Sequence, residues 1–305
     1  MVNILVTEPE YFNEDAMKIL RETGEVKATR LTKEQLLNEV KDVDALVVRI
    51  ETHLSKEVLE RAKKLKVIGS ATTGLNHIDT DYAKERGIKV INLQGAHTFA
   101  TAEHAFALML SFYRRIPWAH EHLKKGGWDR HKFIGNSLKG KTLGILGYGR
   151  IGRKLSEFAK AFGMDIIAFD PYVKTDEVKL VSFEELLKNS DVITIHAMLT
   201  KETEKMINYD SLKMMKKNAI LINTARAGIV DVHALLRALK ENLIYGAALD
   251  VFSNEPITNE EKHILEHAEQ NHNLLITPHI AASTHEAAQE AGVEIALKIK
   301  ECFKQ

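Results

Sequence analysis

A glycine-rich hexapeptide, GYGRIG at positions 147 to 152, constrains the fold more than any other feature of the sequence. It directly follows the apolar run TLGIL and opens the helical pattern RKLSEFAKAF. A strand, a tight glycine turn and a helix in this order are typical of the first βαβ unit of a doubly wound sheet. The hexapeptide therefore predicts an α/β fold in which helices cover both faces of a parallel sheet.

Six short apolar runs alternate with helical patterns from Lys141 onward and are predicted as strands. They are TLGIL, IIAF, DVITIH, AILINT, GAALDV and NLLITP. Six parallel strands match the doubly wound dinucleotide-binding fold, in which ligands lie at the carboxyl ends of the strands. We therefore expect ligand-binding side chains directly after these runs.

A second layer of the same kind is predicted before this domain, with the strand patterns NILVTE, VKATR, DALVVRI, KVIGSA and KVINL. Residues 98–116 then form a helical pattern that is apolar around most of its circumference. Such a helix needs burial on several sides, which suits an interdomain spine or a subunit interface. The last segment, 285–304, is also helical and could return to pack on the first layer. The chain thus predicts two α/β domains, each a doubly wound parallel sheet.

Composition narrows the possible partners. The 42 Lys and Arg residues balance 42 Asp and Glu residues, so the overall charge favours neither a nucleic acid nor a membrane surface. The single cysteine, Cys302, cannot form an intramolecular disulfide, and the sequence has neither a signal-peptide pattern nor a long apolar run. We therefore expect a cytoplasmic protein whose partner is a small molecule.

The glycine hexapeptide and the strand after it predict the cofactor. Gly147 permits the tight turn, Gly149 lets the backbone approach a pyrophosphate, and Gly152 allows close packing of helix on strand. Asp170 ends the strand MDIIAF, where an acidic residue usually accepts hydrogen bonds from the adenosine ribose and favours NAD over NADP. A turn that serves backbone geometry alone is the alternative, but the strand, the spacing and the acid together favour NAD binding.

Three polar segments follow the later strands and carry the candidate catalytic residues. They are NTARAGIVD at 223 to 231, ALDVFSNEP at 248 to 256 and TPHIAAST at 277 to 284. Reduction of a keto acid needs a cation for the carboxylate, a proton donor for the carbonyl oxygen and a group that keeps the donor protonated. Arg226, His279 and Glu255 are of the right residue types for these roles.

The whole chain resembles the D-isomer-specific 2-hydroxyacid dehydrogenases. The resemblance rests on SATTGLNHID at 70 to 79, TAEHAFALML at 101 to 110, KTLGILGYGRIG, HAMLTKET at 196 to 203 and the three catalytic segments in order. It implies a flavodoxin-like substrate domain, residues 1–97 plus 285–305, and a Rossmann NAD-binding domain, residues 98–284. It also implies that Arg226 holds the substrate carboxylate, that His279 is the acid/base and that Glu255 hydrogen-bonds its imidazole.

The same resemblance implies further contacts. Asp250 would approach the nicotinamide amide, and Thr203 would lie near the cofactor phosphates or ribose. Cofactor contacts are also expected of Arg150, Ile151, His196, Thr224, Ala225 and Ala282, and the backbone of Thr73, Gly74 and Leu75 would meet the substrate carboxylate. For the phosphate of phosphoglycerate, Arg49 at the end of the strand pattern DALVVRI is the nearest candidate cation by position, and Thr72 and Thr73 could donate hydrogen bonds. Many phosphoglycerate-using members of the family have another arginine just before this loop, where the present chain has Ser70. Ala227 and Met198 stand where the family commonly has Gly and Pro, and neither departure removes a catalytic atom.

Several alternatives stay open on sequence alone. A non-catalytic NAD-sensing regulator could use the same scaffold. The substrate could be a small keto acid or, in a short phosphoglycerate dehydrogenase, phosphoglycerate. Because the chain ends soon after its last helical segment, we expect no appended regulatory domain.

The remaining expectations concern assembly and other histidines. The apolar helix at 98–116, together with the resemblance, predicts a homodimer. His263 and His267 have a metal-compatible spacing, but a solvated surface is the expected setting and no metal site is predicted. His104 is expected to be a hydrogen-bonded packing residue.

Overall fold

The structure, a computed structural model, describes residues 2–93 and 95–304, apart from the side chain of Glu260. The chain divides into two compact units. The first unit is Met1–His97 with Ser283–Gln305, and the second unit is Thr98–Ala282. The chain thus passes from the second unit back to the first at Ser283, two residues before the expected boundary at position 285.

The sheet of the first unit is parallel throughout its described strands. These are β1 (Asn3–Val6), β2 (Glu25–Ala28), β3 (Ala45–Val48), β4 (Val67–Ser70) and β5 (Lys89–Asn92). Their order, β2-β1-β3-β4-β5, is the flavodoxin-like order. All residues of β3 and β4 are buried, because helices cover both faces of a parallel sheet.

Helices of the first unit are α1 (Glu14–Arg21), α2 (Lys33–Glu39), α3 (Lys56–Arg61), α4 (Thr80–Glu85) and a C-terminal helix (His285–Phe303). The C-terminal helix packs on α1 and β4, so the last segment does return to the first layer. The C-terminal helix approaches β4 closely at Gly69, where a Cβ would lie 2.7 Å from Cδ1 of Ile299 and 2.8 Å from Cγ2 of Ile295.

The sheet of the second unit is also parallel. Its described strands are β6 (Thr142–Leu146), β7 (Asp165–Phe169), β8 (Lys179–Leu180), β9 (Val192–Ile195), β10 (Ile220–Asn223), β11 (Gly246–Leu249) and β12 (Leu274–Ile276). The order is β12-β11-β10-β9-β6-β7-β8, so the winding reverses between β6 and β9. The expected six strands are all present. Strand β8, which pairs with β7, is an addition that two residues are too few to signal by pattern.

Helices of the second unit are α5 (Thr98–Tyr113), α6 (Ile116–Lys124), α7 (Arg150–Ala161), α8 (Phe183–Asn189), α9 (Tyr209–Met214), α10 (Val232–Lys240) and α11 (Lys262–Gln270). The expected helix at 98–116 ends early, at Tyr113. Arg115 adopts a left-handed conformation with φ of 58°, which stops α5 before α6 begins.

Short 3-10 helices complete the structure at Pro9–Tyr11, Val40–Asp42, His131–Phe133, Ala227–Ile229 and Asn259–Glu261. Among residues 2–93 and 95–304, no helix is both long and apolar enough to cross a membrane.

Candidate active site

The carboxyl ends of the second unit's strands share one edge of the sheet because every recorded strand pair is parallel. Most of the predicted second-unit site residues follow those strand ends. In strand order they are Gly147 and Gly149 after β6, Asp170 after β7, His196 after β9, Thr224, Ala225 and Arg226 after β10, Asp250 after β11 and His279 after β12. This is the edge at which doubly wound sheets bind ligands.

The turn after β6 has the geometry that its glycines require. Gly147 has a φ of 92°, and a Cβ there would lie 2.6 Å from the backbone nitrogen of Ala197. A Cβ on Gly152 would lie 2.5 Å from the Gly147 carbonyl oxygen, so α7 could not pack this closely with a larger residue. At Gly149, the N-cap of α7, a Cβ would meet no protein atom within 4 Å. That open space at a helix N-terminus suits a phosphate group.

Asp170 is fixed by two backbone hydrogen bonds. Its Oδ2 accepts the N–H of Tyr148 at 2.9 Å, and its Oδ1 accepts the N–H of Tyr172 at 2.9 Å. An ionised carboxylate can accept about four hydrogen bonds, so both oxygens retain acceptor capacity for ribose hydroxyls.

Two polar atoms that follow the neighbouring strands β9 and β10 are buried and unpaired among the described residues. Burial lowers the pKa of His196 to about 3, so its ring is neutral near pH 7. Its Nε2 pairs with Oγ1 of Thr194 at 2.9 Å, whereas its Nδ1 and Oγ1 of Thr224 are buried and have no partner in the part of the chain that the structure describes. Unsatisfied polar atoms at a strand-end edge fit a site that a polar cofactor completes.

Other expected cofactor residues have less specific surroundings. Arg150 and Ile151 begin α7, and Ala282 is the last residue of the second unit. Oγ1 of Thr203 donates to the carbonyl oxygen of Met198 at 2.6 Å and accepts the N–H of Thr200 at 2.8 Å. Their contacts with a cofactor remain predictions.

Arg226 is an exposed cation that has no carboxylate partner among the described residues. One guanidinium nitrogen donates to the carbonyl oxygen of Ala225 at 2.7 Å. The buried side chain of Asn223 donates to the carbonyl oxygen of Arg226 at 2.9 Å and accepts the N–H of Ala225 at 3.0 Å. Asn223 therefore shapes the loop that presents Arg226. The one sequence signal for this role is a polar residue at the end of a buried strand.

His279 and Glu255 form a close pair. Nδ1 of His279 lies 2.5 Å from Oε2 of Glu255, and Oε1 of the same carboxylate accepts the N–H of Phe252 at 3.0 Å. A carboxylate beside Nδ1 selects the tautomer with hydrogen on that atom, which leaves Nε2 for a reacting group. His279 itself has a φ of 52°, an uncommon conformation for a residue other than glycine.

Asp250 anchors the loop that carries His279. It is fully buried, and its carboxylate accepts Oγ1–H of Thr277 at 2.5 Å and the N–H groups of Ile280 at 3.0 Å and Ala281 at 2.9 Å. Nε2 of His104 lies 3.4 Å from Oδ1. Burial raises the pKa of Asp250, but these hydrogen bonds, that of His104 first, outweigh it and hold the pKa below its usual range.

Thus His104, which lies on α5, is hydrogen-bonded as expected, and its partners Thr277 and Asp250 lie in the loops after β12 and β11. Nothing local in the sequence indicates this connection. The expected contact between Asp250 and the nicotinamide stays a prediction, because the observed partners of its carboxylate are protein groups.

In the first unit, a buried carboxylate shapes the segment that follows β3. Glu8 accepts the backbone N–H groups of Arg49 at 2.9 Å, Glu51 at 3.4 Å and Thr52 at 3.1 Å. The guanidinium of Arg49 lies 4.2 Å from the centre of the Tyr11 ring, and its Nε is buried without a partner in the described part of the chain. Sequence reasoning identified Arg49 but missed Glu8.

The loop after β4 offers backbone donors. Oγ1 of Thr72 donates to the carbonyl oxygen of Gly74 at 2.6 Å and bonds Oγ of Ser70 at 2.7 Å. No acceptor among the described residues meets the backbone N–H groups of Thr73, Gly74 or Leu75. Consecutive free N–H groups in a loop suit an anionic group.

The two histidines with metal-compatible spacing, His263 and His267, have different surroundings. His267 is buried and its Nε2 bonds Oδ1 of Asn273 at 2.9 Å, so the expected solvated surface is wrong for this residue. The ring of His263 stacks on that of His233. Among the described residues, no group of three or more potential metal ligands occurs.

Comparison with known proteins identifies the scaffold. The family model for the D-isomer specific 2-hydroxyacid dehydrogenase, NAD binding domain, matches residues 106–281, more than half of the chain. The chain belongs to this family. The match also confirms the resemblance seen in the sequence and makes a nicotinamide dinucleotide the cofactor of the second unit.

Curated relatives of this chain are named for different substrates. The chain is 47% identical to D-3-phosphoglycerate dehydrogenase of Methanocaldococcus jannaschii, over all of this chain and 58% of that protein. It is also 47% identical to glyoxylate reductase of Thermococcus litoralis, over 83% of this chain and 78% of that protein. The chain spans about half the length of the first curated relatives it matches, between 48% and 58%.

Solved structures confirm the expected two-domain fold. D-lactate dehydrogenase of Aquifex aeolicus, complexed with NAD and lactic acid, aligns with a TM-score of 0.83 at 32% identity, over 98% of this chain and 95% of that chain. The TT0316 protein of Thermus thermophilus aligns with a TM-score of 0.86 at 35% identity, over 97% of this chain and 94% of that one.

Proposed function

We propose that the protein interconverts a D-2-hydroxy acid and its 2-keto acid with NAD as the hydride carrier. The observation that carries this proposal is the pairing of His279 with Glu255 in a family NAD-binding domain whose same sheet edge presents the exposed Arg226. A histidine–carboxylate pair supplies acid/base chemistry, and an arginine binds a carboxylate with two parallel charge-assisted hydrogen bonds.

In the direction of keto-acid reduction, a bound nicotinamide cofactor would supply the hydride for the carbonyl carbon. Nε2 of His279 donates the proton to the carbonyl oxygen as negative charge develops there. Glu255 stabilises the imidazolium and keeps Nδ1 protonated. Arg226 holds the substrate carboxylate, and the same histidine accepts the proton when the reaction runs in reverse.

The cofactor assignment follows from the turn after β6. We propose that Gly147, Gly149 and Gly152 admit the pyrophosphate and that Asp170 binds the adenosine ribose. A 2′-phosphate beside this carboxylate would be repelled, so NAD is preferred over NADP. His196 and Thr224, with their unpartnered polar atoms, would contact the nicotinamide half.

The substrate assignment rests on the first unit. We propose that the free N–H groups of residues 73–75 meet the substrate carboxylate and that Arg49 meets a second anionic group where the substrate has one. Ser70 offers only a hydroxyl, which Thr72 and His77 already engage. Because Ser70 stands where a second arginine could assist Arg49, small keto acids such as glyoxylate or hydroxypyruvate are the expected substrates, and phosphoglycerate would depend on Arg49.

We further propose that the protein is a cytoplasmic homodimer. Large apolar side chains are exposed on α5, on α6 and on the segment after it, namely Phe99, Ile116, Leu123, Trp128 and Ile134, with Trp128 84% exposed. We infer that these side chains become buried between two subunits, because a contiguous exposed apolar surface is typical of an interface. Light scattering at micromolar concentration should give twice the chain mass, and a monomeric mass would contradict the dimer.

The activity is tested by following NADH oxidation with glyoxylate, hydroxypyruvate, pyruvate and bulkier 2-keto acids, and with NADPH in parallel. Phosphoglycerate is tested with NAD in the oxidative direction. We expect turnover with at least one small keto acid. Binding of NADH without turnover of any acid would instead favour the non-catalytic NAD-sensing regulator.

A further inference from the structure

Glu261 is a buried carboxylate that the proposed reaction does not use. It is 7% exposed and stands at the N-cap of α11. An acidic residue at this position usually accepts N–H groups of its own helix. Here the side chain makes no capping hydrogen bond to α11 and reaches a different segment instead.

That segment is the turn before the acid/base pair. Oε1 of Glu261 accepts the N–H of Ser253 at 3.2 Å, and Oε2 accepts the N–H of Asn254 at 2.9 Å. Asn254 directly precedes Glu255. The turn is therefore held from two sides, because Oε1 of Glu255 accepts the N–H of Phe252.

The surroundings of Glu261 make these two hydrogen bonds important. A small cavity that Glu261 lines is mostly apolar, with Phe252, Val251, Leu249 and Ile264 among its walls. Burial of a carboxylate in such a place is costly unless hydrogen bonds compensate it. The donors in this case are two consecutive backbone N–H groups, so the carboxylate and the turn constrain each other.

We propose that Glu261 is a positioning residue for the acid/base pair: it fixes the 253–254 turn so that Glu255 stays against Nδ1 of His279. The inference rests on the proposed function for its catalytic consequence, but the positioning itself is a property of the protein alone. Small displacements of a catalytic group matter, since a misplacement of about 1 Å can cost roughly 10²-fold in rate.

The kinetic test compares Glu261→Ala and Glu261→Gln with Glu266→Ala, a matched control on an exposed position of α11. We expect kcat for keto-acid reduction to fall about tenfold in Glu261→Ala, with KM for NADH unchanged, because the turn and not the cofactor site is loosened. Glu261→Gln keeps one acceptor and should lose less. Equal kcat in Glu261→Ala and Glu266→Ala would overturn the proposal.

A double-mutant cycle separates positioning from a general loss of structure. In a Glu255→Gln background, Glu261→Ala should lower kcat by much less than it does in the wild type, because the group that it positions is already altered. The same fold-reduction in both backgrounds would also overturn the proposal. Thermal unfolding of each variant shows that the comparison is between folded proteins.

A measurement independent of turnover uses protein labelled with ¹⁵N at histidine. The Nδ1–H signal of His279, assigned by its absence in His279→Gln, should persist in Glu266→Ala and shift or broaden in Glu261→Ala. An unchanged signal in Glu261→Ala would contradict positioning even if the wild type were inactive. Conversely, a changed signal in a protein without turnover would leave positioning standing and remove the proposed function.

Discussion

Oε2 of Glu255 lies 2.5 Å from Nδ1 of His279, although the two residues are 24 positions apart in the chain. The carboxylate thereby orients the imidazole and leaves Nε2 as the atom that can exchange a proton with a substrate. The proposed chemistry depends on this pair more than on any other contact in the second unit.

The first prediction concerns the proton donor. His279→Gln should lower kcat for keto-acid reduction by roughly 10² to 10⁴, since general acid catalysis typically contributes that much. Affinity for NADH should be unchanged. His120→Gln, an exposed change on α6, is the control, and near-normal turnover in His279→Gln would contradict the assignment.

Arg226→Lys should lower kcat/KM for keto acids by roughly 10- to 100-fold. Lysine keeps the charge but loses the planar fork, and one charge-assisted hydrogen bond is worth about 1.5–3 kcal/mol. The Kd for NADH should stay at the wild-type value. Steady-state kinetics beside the exposed control Arg114→Lys check this, and a loss in Arg226→Lys no greater than in the control would exclude a bidentate carboxylate contact.

Asp170→Ala should narrow the difference in affinity between NADH and NADPH. Removal of the carboxylate deletes the acceptor for the ribose hydroxyls and the charge that repels a 2′-phosphate, so NADH should bind about tenfold more weakly and NADPH no more weakly. Asp170→Asn, which keeps one acceptor for the N–H groups of Tyr148 and Tyr172, controls for damage to the turn. A wild-type protein that used both cofactors equally well would refute the reasoning.

Arg49→Ala should abolish or strongly weaken any oxidation of phosphoglycerate while glyoxylate reduction persists. The guanidinium is the proposed partner of a second anionic group, which glyoxylate lacks. Arg61→Ala, at an exposed position of α3, is the matched control. Efficient phosphoglycerate oxidation that is unaffected by Arg49→Ala, with no reduction of small keto acids, would overturn the substrate proposal.

The buried ring of His196 should make the free energy of unfolding depend on pH. Burial lowers its pKa from 6.5 to about 3, so between these values the unfolded chain binds a proton that the folded protein does not. The contribution of His196 to the free energy of unfolding is therefore present above pH 6.5 and is lost as the pH falls toward 3.

The substitution His196→Gln should reduce the slope of the unfolding free energy against pH by up to about 1.4 kcal/mol per pH unit. Urea unfolding of the cofactor-free protein at several pH values within the window measures it, with His120→Gln as the exposed control. Parallel pH profiles for wild type and His196→Gln would show that the ring is not held neutral.

The glycine turn shows why much of the fold was predictable. Gly147, Gly149 and Gly152 lie within six residues of one another. They determine the turn between the strand β6 and the helix α7 that follows it. Strand and helix periodicities are also local, so the two parallel sheets followed from short runs of sequence. The end of α5 at Tyr113 did not, because the left-handed conformation of Arg115 has no signal in its residue type.

Residues that shape the candidate site were predictable only in part. Arg226, Glu255 and His279 stood out because their residue types suit keto-acid chemistry and because polar segments followed predicted strands. Glu8, Asn223 and Glu261 did not stand out, since each acts on a loop through a hydrogen bond and has no chemical signature of its own. His104 was expected to be hydrogen-bonded, but its partners were not predictable. Their roles appear only when the partner loop is in place.

The sequence by itself determined the two α/β domains, the cofactor turn and the types of the reacting groups, because these depend on local patterns and on side-chain chemistry. Only the tertiary structure decided that Asp250 holds the loop of His279 with the help of His104, and that Glu261 holds the turn of Glu255. The physical reason is distance along the chain: His104 and Asp250 are 146 positions apart, and their 3.4 Å contact exists only because the helix α5 packs against β10 and β11.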